Sequence, residues 1–61
     1  MNIKEMRTNK GLSQREFGSK LGVDRSTVTK WETGKASPRA DMLPRIAKLF
    51  GCTVGDLFKE G

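Results

Sequence analysis

QREFGSKLGVDRSTVTKWET, residues 14–33, is the stretch whose reading decides the fold of this 61-residue chain. Its apolar positions are Phe17, Leu21, Val23, Val28 and Trp31. Phe17 and Leu21 stand four apart on one helical face, and Val28 and Trp31 three apart on another, so the spacing predicts two short helices. Gly22 follows Leu21 where a helix end favours a residue tolerant of left-handed backbone. Asp24 offers a side-chain oxygen to cap the second helix, which runs from Arg25 to Thr33 with Gly34 as its stop. Gly18 sits in mid-helix, where glycine costs about 1 kcal/mol against alanine. Close passage of the second helix over this point would explain why a side chain is absent there.

Outward from this pair, the chain carries further start and stop signals. Ser13 and Glu16 form an S-x-x-E capping box ahead of the stretch, and Leu12 is placed to staple onto Phe17. Asn2–Lys10 reads as a first helix, capped by Asn2 with Glu5 three residues on and closed by Gly11. Ile3, Met6 and the stem of Lys10 mark its inward face. Downstream, residues 35–40 (KASPRA) form a loop with two cations. Pro44 must lie within the first helical turn, because deeper it would clash with the carbonyl four residues back. Asp41 is therefore the earliest N-cap for a helix over Met42–Phe50, with Leu43, Ile46, Ala47 and Phe50 inward and Gly51 as stop. Thr53 and Asp56 form a second capping box, opening a short fifth helix through Phe58, in which Leu57 and Phe58 close the core. Neither repeats nor low-complexity segments interrupt residues 1–61, which read as one all-α domain.

Composition narrows the function. Twelve Lys and Arg against seven Asp and Glu give a net charge of +5, which suits a polyanionic partner. One cysteine and no histidine exclude the usual zinc spacings and the Cys–His and Ser–His nucleophile pairs. Neither a catalytic constellation nor a cofactor or metal site is expected. Asp56 and Glu60 read as a cap and a solvated tail rather than an acid/base pair. Cys52 reads as a small buried hydrophobe in a reducing, cytoplasmic setting. No apolar run approaches the roughly 20 residues of a membrane span, and the N-terminus lacks a signal-peptide core.

The stretch 14–33 resembles the helix-turn-helix of the Cro/repressor-type DNA-binding family, the lambda-repressor-like fold. In that family a small residue, a turn glycine and a buried aliphatic residue take the places of Gly18, Gly22 and Val28, and GLSQ and WETGK match its usual approach and exit. The resemblance covers nearly the whole chain and implies a compact five-helix domain, residues 1–61. It further implies a sequence-specific transcription regulator, a prokaryotic or phage repressor that reads double-stranded DNA with its third helix and resides in the cytoplasm, on the nucleoid when bound.

With Val28 and Trp31 fixing the buried side, about 100° per residue places Ser26, Thr29, Lys30 and Thr33 opposite, with Arg25 in the first turn. That face carries hydroxyls and two cations without an acid. The resemblance makes Arg25, Ser26, Thr29 and Lys30 the base-contacting set. Gln14, at a helix start whose free N–H groups attract anions, joins Thr27, Thr33, Lys35 and Arg39 as phosphate contacts. The resemblance also implies an ion pair between Arg7 and Glu32. The expected partner is a palindromic operator bound by a homodimer, with neither a membrane nor a small-molecule substrate. The alternative is a protein-interaction module, such as an antitoxin or accessory regulator, which would require an apolar surface patch.

Overall fold

A computed structural model of the chain describes residues 1–58. The order is α1 (Ile3–Asn9), α2 (Gln14–Leu21), α3 (Arg25–Thr33), a 3₁₀ turn (Ala40–Met42), α4 (Leu43–Phe50) and a second 3₁₀ turn (Gly55–Phe58). There are thus four α-helices among the described residues, and the expected fifth is a single 3₁₀ turn. Its bonds run from Asp56 N–H to Thr53 O and from Leu57 N–H to Val54 O, both 3.1 Å, the i→i+3 spacing of a 3₁₀ turn. The second capping box forms around it, with Asp56 N–H donating to Thr53 Oγ1 and Thr53 N–H to Asp56 Oδ2, both 3.2 Å. Glu60 lies outside the described residues.

Sequence periodicity and caps explain the bundle. Ile3, Phe17, Leu21, Val28, Trp31, Ile46, Ala47, Phe50 and Leu57 are buried together. Phe17 lies at the centre, stacked on Phe50 at 5.2 Å and edge-on to Trp31 at 6.5 Å. Leu12, Met6, Val23, Leu43 and Cys52 pack against this core while staying half-buried. Phe58 does not close the core: it is 54% exposed, because the 3₁₀ turn directs Leu57 inward and its neighbour out. Lys10 is exposed, and the inward position one helical turn earlier is held by a buried Arg7.

Two expected caps differ. Asn2 makes no side-chain cap bond to α1. Its N–H instead donates to Leu57 O at 3.2 Å, which ties the start of α1 to the second 3₁₀ turn. Asp41 does not cap α4, because the preceding 3₁₀ turn already delivers the chain in helical conformation, and Pro44 falls at the second helical position, where it lacks no needed donor. No helix among the described residues is long and apolar enough to cross a membrane.

Candidate nucleic-acid interface

The geometry of α3 is set at its start. Gly18 packs under the turn so closely that a β-carbon there would lie 2.8 Å from Val23 O and 3.3 Å from Val28 Cγ2. The turn's own backbone, more than the body of α3, therefore excludes a side chain. Gly22 takes φ +75°, the left-handed conformation that ends α2 and turns the chain. Asp24 then accepts from Ser26 N–H at 3.1 Å and also from the Ser26 hydroxyl. These bonds hold its carboxyl below the usual carboxylate range.

The outward side of α3 forms an open concave face with the middle of α2. It brings together Arg25, Ser26, Thr29, Lys30, Thr33 and Lys35 with Arg15, Ser19, Val23 and Asp24. Gln14 lies in an adjoining cleft with Arg7, Ser13, Arg15 and Arg25. Thr27 is half-buried and lines neither concavity. Arg39 also lies apart, in the loop, with Nε 3.7 Å from Asp41 Oδ1 and both side chains well exposed. Sequence reasoning passed over Arg15 and Ser19. Their signal is the four-residue spacing, which puts both on the α2 face that adjoins α3. The face is also not free of acid, since Asp24 borders it, although that carboxylate is engaged by Ser26.

Behind the face, a chain of polar contacts joins three helices. Arg7 Nε donates to Glu32 Oε2 at 2.6 Å and Nη2 to Glu32 Oε1 at 3.2 Å, while Nη1 donates to Leu12 O at 2.7 Å. The Arg7 and Glu32 side chains are 9% and 4% exposed, so this is a buried pair. Gln14 Nε2 donates to Glu32 Oε1 at 2.9 Å, and Thr29 Oγ1 donates to Gln14 Oε1 at 3.1 Å. Burial alone would raise the Glu32 carboxyl, but hydrogen bonds from Arg7 and Gln14, with the charges of Arg7 and Lys4, bring it below the ordinary value. Gln14 is thus engaged inward, and only its second amide hydrogen remains for a phosphate. Thr33 Oγ1 donates to Thr29 O at 2.9 Å, so contact with a phosphate would require it to leave that bond.

The exit of α3 is fixed by backbone, with the N–H groups of Lys35 and Ala36 donating to Lys30 O at 2.9 and 3.2 Å. Pro38, read from sequence only as a loop breaker, is buried. Among the described residues, no cluster of His, Cys, Asp and Glu could hold a metal ion.

Comparison with known proteins agrees with this architecture. Residues 3–57 match the family model described as helix-turn-helix. A helix-turn-helix transcriptional regulator of Methanocaldococcus jannaschii is 38% identical over 56 residues, covering 92% of this chain and 85% of that protein. The transcriptional activator BcrR of Enterococcus faecalis is 36% identical over 55 residues, covering 90% of this chain but 27% of its own length. The CTXphi phage transcriptional repressor RstR of Vibrio cholerae is 28% identical over 58 residues, covering 95% of this chain and 52% of its own length. The chain thus spans about a quarter of the activator and half of the repressor. In fold, it superposes with TM-score 0.81 on the clp gene regulator ClgR of Corynebacterium glutamicum, at 22% identity, over 90% of this chain and 58% of that one. The chain belongs to the helix-turn-helix family, of the Cro/repressor type found in transcription regulators.

Proposed function

We propose that this protein is a sequence-specific double-stranded DNA-binding repressor that seats α3 in the major groove. The observation that carries the reading is the concave basic face of α3, where Arg15, Arg25, Lys30 and Lys35 surround small polar side chains. A helix presenting cations and hydroxyls meets both demands of a DNA groove, phosphate charge and base edges. Arg25, Ser26, Thr29 and Lys30 are assigned to bases, and Arg25 or Lys30 to guanine O6 and N7. Gln14, Thr33, Lys35 and Arg39 are assigned to phosphates, with Thr27 as a weaker candidate because it stands off the concave face. Work on the cytoplasmic nucleoid as a homodimer on a palindromic operator completes the reading.

Selection of bound sequences from a random duplex pool tests it. A symmetric consensus is expected. Arg25→Ala and Lys30→Ala should each relax preference at one position and cost about 1–3 kcal/mol there. If both variants keep the parent's preferences, the assignment of these residues is wrong. The protein-interaction reading draws on exposed Phe58, and it would be favoured if specific and random duplexes bound equally weakly.

A further inference from the structure

We propose that Ser26 and Thr29 meet base edges only as hydrogen-bond acceptors, with the Thr29 methyl as an added apolar contact, so that this protein selects exocyclic amino groups or thymine methyls opposite them and leaves guanine to its cations. The inference rests on the DNA-binding reading above and deepens it.

A hydroxyl carries one proton and two lone pairs, and ordinarily rotates to serve whichever partner it meets. Here its direction is dictated from behind. Arg7 can only donate, and the buried Glu32 carboxylate, held ionised by it, can only accept. Gln14 therefore has to present its amide nitrogen to Glu32 Oε1, at 2.9 Å. The opposite flip would set the Gln14 oxygen against the Glu32 carboxylate oxygen in a part-buried site. The Gln14 oxygen is thereby turned to Thr29 Oγ1 at 3.1 Å, and an oxygen acceptor obliges the threonine to donate. The other neighbour of that hydroxyl, Arg25 O at 3.2 Å, is also an acceptor. The Thr29 proton is thus held within the protein whichever neighbour takes it.

Ser26 reaches the same state independently. Its hydroxyl donates to Asp24 Oδ2, a carboxylate kept in place because it caps α3. Both hydroxyls consequently face the concavity with lone pairs alone. In the major groove, the hydrogen-bond donors are adenine N6 and cytosine N4, whereas guanine offers only acceptors. Facing guanine, either hydroxyl would oppose oxygen or nitrogen lone pairs. Arg25 and Lys30, which only donate, complement them.

The experiment uses the full chain, parent and single variants, with the duplex selected by the parent. Repeating the selection with Ser26→Ala and Thr29→Ala maps the base pair each residue reads, with Thr29→Val replacing the second if thermal unfolding shows it unfolded. Duplexes are then made in which one base at a mapped pair loses one group: N6 (purine for adenine), N4 (2-pyrimidinone for cytosine), the methyl (uracil for thymine) or N7 (7-deazapurine). Loss of an amino or methyl group there should weaken binding about three- to tenfold, the worth of one net hydrogen bond or methyl contact, while loss of N7 leaves it unchanged. Weakening by 7-deazapurine without weakening by loss of the amino or methyl group would overturn the proposal, as would variants that shift preference at no pair. A pool yielding no consensus even for the parent protein instead rejects the DNA-binding reading itself.

Discussion

A methyl group added at position 18 would be driven into Val23 O, a backbone atom that cannot step aside without moving the turn. Alanine there gains roughly 0.5–1 kcal/mol of helix propensity but meets overpacking of about 1–3 kcal/mol. Gly18→Ala should therefore destabilise by about 1–2 kcal/mol, read as a loss of roughly 4–15 °C in Tm for a domain this small. The buried Arg7–Glu32 pair belongs to the same scale. Removing one partner leaves an uncompensated charge at a cost of about 3–5 kcal/mol, and a double-mutant cycle on thermal unfolding should show coupling rather than additivity. Because the Glu32 carboxyl is lowered in the fold, its stabilisation is complete above the unfolded value near 4.5 and is lost as pH falls through the folded value. Tm should drop on acidification below about pH 4.5, and less steeply in Glu32→Gln. Gly18 was legible because glycine in mid-helix demands a reason. The inward turn of Gln14 was not, since it depends on Glu32 and Thr29 arriving from another helix, and no local pattern encodes that meeting.

At the scale of elements, boundaries followed local chemistry wherever a cap was complete. Ser13 and Glu16 bond reciprocally at 3.0 and 2.9 Å, and α2 begins where that box places it. Asn2 does not cap α1 because its backbone (φ −98°, ψ 42°) is outside the extended conformation that Ser13 and Asp24 adopt as caps, while its N–H is held by Leu57 O from the other end of the described chain. The fifth helix shrank to a 3₁₀ turn even though its capping box formed, because a box fixes where a helix starts and not how far it continues. The exit of α3 carries the next prediction. Lys35 borders the concave face and Arg39 stands beyond it, paired with Asp41 at the surface, where such a pair is worth at most about 1 kcal/mol and leaves Arg39 available to a phosphate. Lys35→Ala and Arg39→Ala should each weaken all sequences about equally and make the salt dependence of binding shallower by about one unit. Titrations at several salt concentrations check this. An unchanged slope in both would place the loop off the DNA.

At the scale of the molecule, the net charge of +5 suits a polyanionic partner, and the proposed pairing on DNA rests on dimensions rather than composition. The described chain measures 24 × 23 × 22 Å, less than the roughly 34–36 Å between successive major grooves on one side of a duplex. If α3 reads DNA as proposed, one copy reaches only a few base pairs, and a single module of this kind buries only about 600–1,000 Å² on DNA, little against a genome of competing sites. Two copies about a twofold axis double the contacts and convert their spacing into specificity. The surface offered for pairing is small: exposed Phe58, with half-buried Leu49, Cys52 and Val54 near it in sequence. An apolar contact of that size does not hold a dimer at low concentration, but it adds to binding once adjacent half-sites bring two copies together. We expect a monomer in sedimentation without DNA, and two copies on a footprint whose halves are one helical turn apart. Phe58→Ser should leave half-site binding intact and reduce the cooperativity between halves. Full affinity for a single half-site, bound one to one, would show that the protein acts alone.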